Sequence, residues 1–395
     1  MEPDRSSPTR ASTSTLILTP TTSRRSSTTT RNANPPSSPP LTTPPGPLPV
    51  TTLSAVSWRT AYPRICQFAI TAAEEVVAAG PSGLFYFRRV QDHVSKPWSE
   101  ARLLPSTPVM LDDSSVSGLA IHSSEKRLDV YCVSGGVLHC FYRSAEPGSS
   151  FAVNPRPPLS TYAVSGTPAI VSIDYSSRWH LVVPCQLGGL LHTSTTGPSS
   201  SGSYISEWDS VNHVAKGLGV VSAVSITAMR TGRYYEDIVI VAACVASARL
   251  HTLEGIFERD SRYYSAPWEW KAQTPTRISH PGEVTGNPVL VHTGPLRQQL
   301  DLLVPSAEGG VFHFVRTEST PDEWHMIARI TFPPSLPVVS CLALNADPPS
   351  YVQRREFKAL VQSGGQIYRV KTYEGSNPWS GSYLKPIVAP GPFFD

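Results

Sequence analysis

The chain of 395 residues has no apolar run long enough for a membrane-spanning helix, which needs about 20 residues. Methionine is scarce, at 4 residues, whereas proline is abundant, at 39. Because proline breaks helix interiors, this composition disfavours a helical bundle. Hydrophobic residues make up 40% of the chain, which suffices for a sizeable core. We therefore expect a globular protein that has no membrane partner.

An excess of one charge is also missing from most of the chain. There are 33 basic and 30 acidic residues, and residues 1–50 carry the whole formal excess of +3. A neutral body lacks the broad positive field that nucleic-acid binding uses, so we expect no nucleic-acid partner. Residues 1–50 also include 20 serines and threonines and 11 prolines, which cannot build a core. We predict a disordered tail over residues 1–55 and a folded domain over residues 56–395.

The six cysteines lack the spacing of metal or redox sites. None belongs to a C-x-x-C pair, and all lie in apolar, strand-like runs. We interpret them as buried reduced thiols. Because the tail also has no apolar stretch of signal-peptide length, we predict a cytoplasmic protein. Cys132 and Cys140 flank one predicted turn, which leaves open whether they approach each other across a hairpin.

Standard catalytic patterns are absent as well. The sequence has no G-x-S-x-G elbow, no Walker glycine loop, no H-E-x-x-H pair and no dinucleotide fingerprint. Pairs such as Gly135-Gly136 are interpreted as hairpin turns rather than phosphate cradles. We therefore expect neither a cofactor nor a metal ion.

What the chain does have is a repeat of short apolar runs separated by turns. Aligned turn residues form one column: Gly83, Gly136, Gly189, Ala248, Gly310 and Gly365. Three residues later stands a second column, at spacings of 53, 53, 59, 62 and 55 residues: Tyr86, His139, His192, His251, His313 and Tyr368. Further on comes an aromatic column: Trp98, Phe151, Trp208, Trp268, Trp324 and Trp379. Four short strands and their turns fit this period. The sequence predicts an all-β fold, a six-bladed β-propeller of four-stranded antiparallel blades.

The repeated columns have a structural interpretation. Equivalent positions on different blades cannot converge on one ion, so the His/Tyr column does not predict a metal centre. We expect each of its polar atoms to bond a neighbouring backbone group while the ring packs between sheets. The aromatic column is interpreted as inter-blade packing, with a sugar-stacking platform as the alternative. Basic residues after the third strand show irregular offsets from the turn, so no arginine column is expected: Arg88, Arg143, Arg316, Arg369 and Lys371.

The order G-x-P-(apolar), D-(apolar)₃, G-G-x-(apolar)-H and W, clearest in residues 284–324, resembles the fungal propellers of the fucose-specific lectin superfamily. The resemblance covers about residues 60–385. It implies inter-blade sugar sites that each hold an arginine, a glutamate and an aromatic ring. This sequence departs from that pattern, because the arginine offsets drift and no glutamate column is found. The fold is also similar to that of fungal hetero-Diels–Alderases, the cofactor-free cyclases of tropolone-sesquiterpenoid pathways.

The second resemblance, together with diverged repeats and unequal loops, predicts a cyclase of fungal secondary metabolism with one asymmetric pocket. It would dehydrate its substrate to a quinone methide and join this stereoselectively to a polyene. An acid and a base would come from His280, Glu283 and Lys216, on loops where propeller ligands often enter. Substrate-binding candidates on similar loops are Arg64, Asp113, Tyr162, His213 and Glu308. Alternatives are a fucose-binding lectin without catalysis and a protein-interaction scaffold. The partner is thus a terpenoid-type small molecule or a sugar, and a homodimer is allowed.

Overall fold

The computed structural model describes most of the repeated domain. The described residues are 67–71, 73–80, 82–90, 98–105, 111, 115–124, 127–146, 148–173, 178–196, 208–231, 237–257, 269–270, 275–292, 299–317, 320–330, 341–346, 356–363, 366–373 and 385–386. The predicted N-terminal tail, Arg64 and Asp113 lie outside these ranges.

Within the described ranges, 25 strands form six antiparallel sheets. The first blade contains β1 (Phe68–Ile70), β2 (Glu75–Gly80), β3 (Gly83–Arg88) and β4 (Arg102–Leu103). The second contains β5 (Val116–Ser123), β6 (Arg127–Ser134), β7 (Val137–Ser144) and β8 (Ala152–Val153). The third contains β9 (Ala169–Ile173), β10 (Arg178–Pro184), β11 (Leu190–Thr196) and β12 (Asn212–Val214), and is followed by a short 3₁₀ helix, Lys216–Leu218.

The other three blades repeat this arrangement. The fourth contains β13 (Val221–Thr231), β14 (Asp237–Ala246), β15 (Arg249–Phe257), β16 (Glu269–Trp270) and an extra short strand, β17 (Thr276–Arg277), which also pairs with β15. The fifth contains β18 (Val289–His292), β19 (Leu300–Pro305), β20 (Val311–Thr317) and β21 (Thr320–Ile330). The sixth contains β22 (Cys341–Ala346), β23 (Glu356–Ser363), β24 (Gln366–Tyr373) and β25 (Lys385–Pro386).

The six sheets surround one axis. Strand order within each sheet follows the chain, and the first strands β1, β5, β9, β13, β18 and β22 contact one another in that order. Strand β22 also contacts β1, so the first strands form a closed ring. The predicted six-bladed propeller of four-stranded antiparallel blades is confirmed.

The hydrophobic core lies between neighbouring blades. Strands β6 and β19 are buried along their whole length, because both faces of a middle strand pack against another sheet. Rings of the aromatic column bridge the same interfaces. Phe151 of the second blade packs edge-on against Tyr86 of the first, and Trp208 of the third packs edge-on against Tyr131 of the second. The interpretation of this column as inter-blade packing is confirmed for these residues.

The hairpins between second and third strands differ in length, and this difference matters for the site. Gly135 and Gly136 adopt φ of 57° and 82° in a two-residue turn, a conformation that favours glycine. In the fifth blade the turn is longer, and Ser306 N donates to Gly310 O at 3.1 Å to close it. An alignment on the turn glycines therefore shifts the third strand of one blade relative to another.

The pairing of β6 with β7 decides the question of a disulfide. Cys132 is opposite His139, and Cys140 is opposite Tyr131. Paired residues share a face while chain neighbours alternate, so the two cysteines point to opposite faces of the sheet. They are free and buried, as are Cys185 and Cys244. The expectation of buried reduced thiols is confirmed for these four.

Candidate functional site

Three predicted site residues lie near the hairpins of the third blade. His213 lies in β12, and its Nε2 is 2.7 Å from Gly188 O, so the ring is tied to the backbone of the turn. Lys216 begins the 3₁₀ helix that follows, against the same turn. Tyr162 precedes the third blade and is 40% exposed. None of the three lines either cavity described below.

Three others meet at the junction of the fourth and fifth blades. Glu283 O accepts a hydrogen bond from Ala307 N at 3.0 Å, which brings its segment beside the turn that carries Glu308. The Glu308 carboxylate is 3.3 Å from Arg329. Burial, followed by the charge of a nearby arginine, lowers the pKa of His280, so this imidazole is neutral at pH 7. The structure thus groups His280, Glu283 and Glu308 but separates them from Lys216; their catalytic role stays a prediction.

The hollow at the axis is small and has both polar and apolar surface. Bounded by the described residues, it has a volume of about 130 Å³ and is lined by first-strand side chains such as Ile121 and Ile226. Thr167 Oγ1 donates to Asn287 Oδ1 at 2.7 Å, and Asn287 Nδ2 donates to Gln67 Oε1 at 3.2 Å. These bonds link the third, fifth and first blades across the axis. A space of this size is close to that of cavities that hold one benzene, roughly 150 Å³, and is too small for a polyene beside a quinone methide.

A larger cavity, of about 820 Å³, lies between the first and second blades. Its wall joins Glu75 and Tyr86 of the first blade to Arg143 of the second. Glu75 Oε1 accepts hydrogen bonds from the Tyr86 hydroxyl at 2.7 Å and from Arg143 Nη2 at 2.6 Å. The guanidinium lies 4.6 Å from the centre of the Tyr86 ring and 5.4 Å from that of Phe151. We call these four residues the Glu75–Arg143 cluster.

The cluster keeps its hydrogen-bonding groups in defined protonation states. The side chains of Arg143 and Glu75 are 17% and 12% exposed. Burial, followed by the hydrogen bond to Glu75, raises the pKa of Tyr86 well above its ordinary value, so the hydroxyl remains a donor. Arg143 Nε is buried and has no hydrogen-bond partner among the described residues. The cavity wall therefore offers a cationic donor and an anionic acceptor beside the Tyr86 ring.

A second cluster of similar composition lies between the fourth and fifth blades. Arg316 of β20 pairs with Glu254 of β15, and its guanidinium lies 5.3 Å from the centre of the Trp324 ring. Met229 Sδ is 3.9 Å from Arg316 Nη2. In both clusters the preceding blade supplies the carboxylate, and the following blade supplies the arginine and a ring of the aromatic column. We call this the Glu254–Arg316 cluster.

The sequence comparison missed these clusters because the repeats were aligned on turn glycines. The strand pairing shows instead which residue closes each hairpin: Gly83, Val137 and Gly310 in the first, second and fifth blades. The sixth residue after each of these is an arginine: Arg89, Arg143 and Arg316. The expectation of no arginine column is therefore wrong for three blades. The glutamates form no column because Glu75 belongs to a second strand and Glu254 to a third.

The partners of the His/Tyr column also differ from expectation. In the first, third and fifth blades its polar atom bonds a side chain of the second strand: Tyr86 to Glu75, His192 to His180 and His313 to Asp301. The expected backbone partner is wrong for these three blades. His139 and His251 lie one position nearer to the residue that closes the hairpin, and thus face the other side of their sheets. Within the described ranges, no group of three or more His, Cys, Asp or Glu residues is placed to hold a metal ion.

Comparisons with known proteins agree with the architecture. No protein-family model and no curated protein matches the chain. A variant of Aleuria aurantia lectin, solved in complex with Fucα1-6GlcNAc, matches with a TM-score of 0.53 and 13% identity, covering 83% of this chain and 99% of that one. AofleA from Arthrobotrys oligospora matches with a TM-score of 0.56 and 10% identity, covering 83% and 88%. A lectin from Burkholderia pseudomallei matches with a TM-score of 0.52 and 14% identity, covering 80% of each chain.

Another structure of the Aleuria aurantia lectin is described as a six-bladed β-propeller with a novel mode of fucose recognition, and it matches with a TM-score of 0.51. In the described part of this chain, no helix has the length and apolar character to cross a membrane. With identities of 10–14%, these matches establish the fold. The chain therefore has the six-bladed β-propeller fold of fungal fucose-binding lectins, as its sequence resemblance predicted.

Proposed function

We propose that the protein binds carbohydrate between its blades, in the cavity beside the Glu75–Arg143 cluster. The observation that carries the proposal is a largely buried arginine–glutamate pair that meets the Tyr86 ring on the wall of a cavity of about 820 Å³, with Phe151 packed edge-on against that ring. This volume lies within the range of roughly 300–1,000 Å³ that is usual for small-molecule sites. It suits a ligand that combines hydroxyl groups with an apolar face.

The chemistry of the cluster fits a sugar. A sugar hydroxyl both donates and accepts, so it can accept from the Arg143 guanidinium, which keeps some exposure, while it donates to the Glu75 carboxylate. The C–H face of a pyranose ring is apolar and can pack against Tyr86 on the cavity wall. The fucose-containing complexes of the Aleuria aurantia lectin support fucose as the first sugar to test. The Glu254–Arg316 cluster offers a second site of the same kind.

Titration calorimetry of the purified protein with fucosylated oligosaccharides, guided by a glycan array, tests this proposal. We expect Arg143→Ala to weaken binding at the first site about 10-fold or more, since hydrogen bonds to charged groups are worth about 1.5–3 kcal/mol. Arg316→Ala should lower the number of bound ligands from two to one. Arg277→Ala is the matched control, because Arg277 is an exposed arginine outside both clusters, and it should bind like the wild type. Absence of glycan binding, or unchanged binding by Arg143→Ala, would refute the proposal.

The cyclase of the sequence prediction is a second proposal, now directed at the inter-blade cavity. The observation that favours it is a protonated phenol, a carboxylate and a guanidinium together on one cavity wall. Tyr86 would protonate a leaving hydroxyl, which departs as water, while Glu75 accepts the substrate proton that is lost to form the quinone methide. The quinone methide and an alkene then form two σ bonds without a cofactor. Equal product ratios with enzyme and buffer would overturn this.

The sequence also allows a protein-interaction scaffold. The scaffold alternative would be supported by one stoichiometric protein partner together with a lack of glycan binding. The homodimer and the cytoplasmic location remain predictions, as does the assignment of His280, Glu283 and Lys216 to acid–base roles.

A further inference from the structure

A chain of three hydrogen-bonding rings joins the third blade to the fourth. Trp270, in β16, donates its indole N–H to His192 Nδ1 at 3.3 Å. His192 Nε2 lies 3.0 Å from His180 Nδ1, and the planes of the two imidazoles differ by 5°. Both histidines are 1% exposed. We call these residues the His–His–Trp chain; it is separate from both proposed sugar clusters.

The indole fixes the position of every proton in the chain. An indole N–H can only donate, so His192 Nδ1 must be an unprotonated acceptor. The neutral His192 ring then carries its proton on Nε2, which donates to His180 Nδ1, and His180 carries its own proton on Nε2. A second proton on His192 would face the indole N–H, and one on His180 Nδ1 would face the N–H of His192. The chain therefore requires both imidazoles to be neutral.

The surroundings favour the neutral forms. Burial lowers the pKa of His180 far below its ordinary value, and His192 and Arg178 lower it further. Burial also lowers the pKa of His192 to about 4, although Asp209 acts in the opposite direction. Arg178 and Asp209 are described charged groups that act on the pair, and both belong to the third blade. The fourth blade presents Trp270 and apolar side chains such as Ile238.

We propose that the His–His–Trp chain is an acid-sensitive latch between the third and fourth blades, closed at neutral pH and opened when either imidazole gains a proton. The direction follows from linkage. In the unfolded chain these histidines bind protons as the pH falls below about 6.5, whereas in the native state both imidazoles stay neutral until a lower pH is reached. Acid therefore favours the open or unfolded form across that window.

The test compares urea unfolding of the wild type with that of the double variant His180→Asn/His192→Gln from pH 7.5 to pH 5. The two amides supply the acceptors and the donor of the neutral imidazoles but do not titrate. Relative to this variant, the unfolding constant of the wild type should rise about 30-fold over this range for the shift of His192 alone. His325→Gln is the matched control, because the exposed His325 should leave the wild-type profile unchanged.

A second measurement needs no folded variant. Long-range ¹⁵N–¹H spectra of the wild type at pH 7.5 should show two buried imidazoles that are neutral and carry the proton on Nε2. They should stay neutral at pH 5.5. Protonation of either buried ring at pH 5.5, a proton on Nδ1, or pH profiles of wild type and double variant that agree within about twofold would each overturn the latch.

Discussion

The ion pair of Arg143 and Glu75 should stabilise the interface between the first two blades, whatever ligand the cavity takes. Arg143→Leu removes one charge-assisted hydrogen bond, worth about 1.5–3 kcal/mol. It also removes two guanidinium–ring contacts, each worth about 0.5–1 kcal/mol. Because the two side chains retain 17% and 12% exposure, we take the lower part of these ranges and expect a loss of about 3 kcal/mol.

A double-mutant cycle isolates the pair itself. Glu75→Gln keeps an acceptor for the Tyr86 hydroxyl but removes the charge, so we expect a loss of about 2 kcal/mol. The coupling free energy between Arg143→Leu and Glu75→Gln should then be about 1.5 kcal/mol. The Tm of Arg143→Leu should fall by about 4 °C, because an unfolding entropy of about 2 cal/mol/K per residue sums to roughly 0.7 kcal/mol/K over the domain.

The assay is urea unfolding at pH 7.5, followed by far-ultraviolet circular dichroism. The chain supplies a matched control in Arg178 and Asp209, which are 4.0 Å apart with Asp209 half exposed. For a pair at this long distance with one half-exposed partner we expect a coupling below about 0.5 kcal/mol. A coupling for Arg143 and Glu75 no larger than that of the control would refute the claim that burial strengthens this pair.

Two further predictions concern the axis and the close packing of the inner strands. Asn287→Ala removes two cross-axis hydrogen bonds and should lower the free energy of unfolding by about 2 kcal/mol in urea; a loss under about 0.5 kcal/mol would contradict the linking role of this network. Gly166→Ala should cost about 3 kcal/mol or more, since φ is 60° and the new Cβ would lie 2.3 Å from Ser222 O, whereas Gly148→Ala, at φ 84° with open space, should cost only about 1 kcal/mol. Equal urea midpoints for the two glycine variants would show that the contact does not matter.

The architecture could be predicted from the sequence because every blade packs in the same way and therefore repeats the same pattern of residues. A middle strand buried on both faces reads as a continuous apolar run, as in β19, and a tight turn demands residues that tolerate positive φ, as at Gly135 and Gly136. These signals recur at nearly constant spacing and survive small changes in loop length. The aromatic column is similarly robust, because a large ring beside a blade interface is useful wherever the interface is wide enough.

The site was less accessible because it depends on register between blades. Tyr86 and His192 each lie three residues after the third-strand residue that closes their hairpin. They bond Glu75 and His180, and each of these lies five residues before the second-strand residue that closes the same hairpin. An alignment that is wrong by one residue turns every side chain of a strand to the other face. One column of the sequence alignment then contains residues that form buried pairs together with residues, such as His139, that face the other side of their sheet.

The location of the proposed site at an interface, rather than at the axis, follows from the same geometry. First strands converge on the axis, and the approach of Gly118 to the backbone of Thr167 shows how little space they leave there. Farther out the blades diverge, so a large cavity can open between them. Glu75 and Tyr86 belong to the same blade, but the Glu75 carboxylate can accept a further hydrogen bond from an arginine of the next blade. Recognition at such a site therefore requires two correctly aligned blades, which no single repeat encodes. A search for equivalent residues within each repeat therefore identifies the fold more readily than the residues of the proposed site.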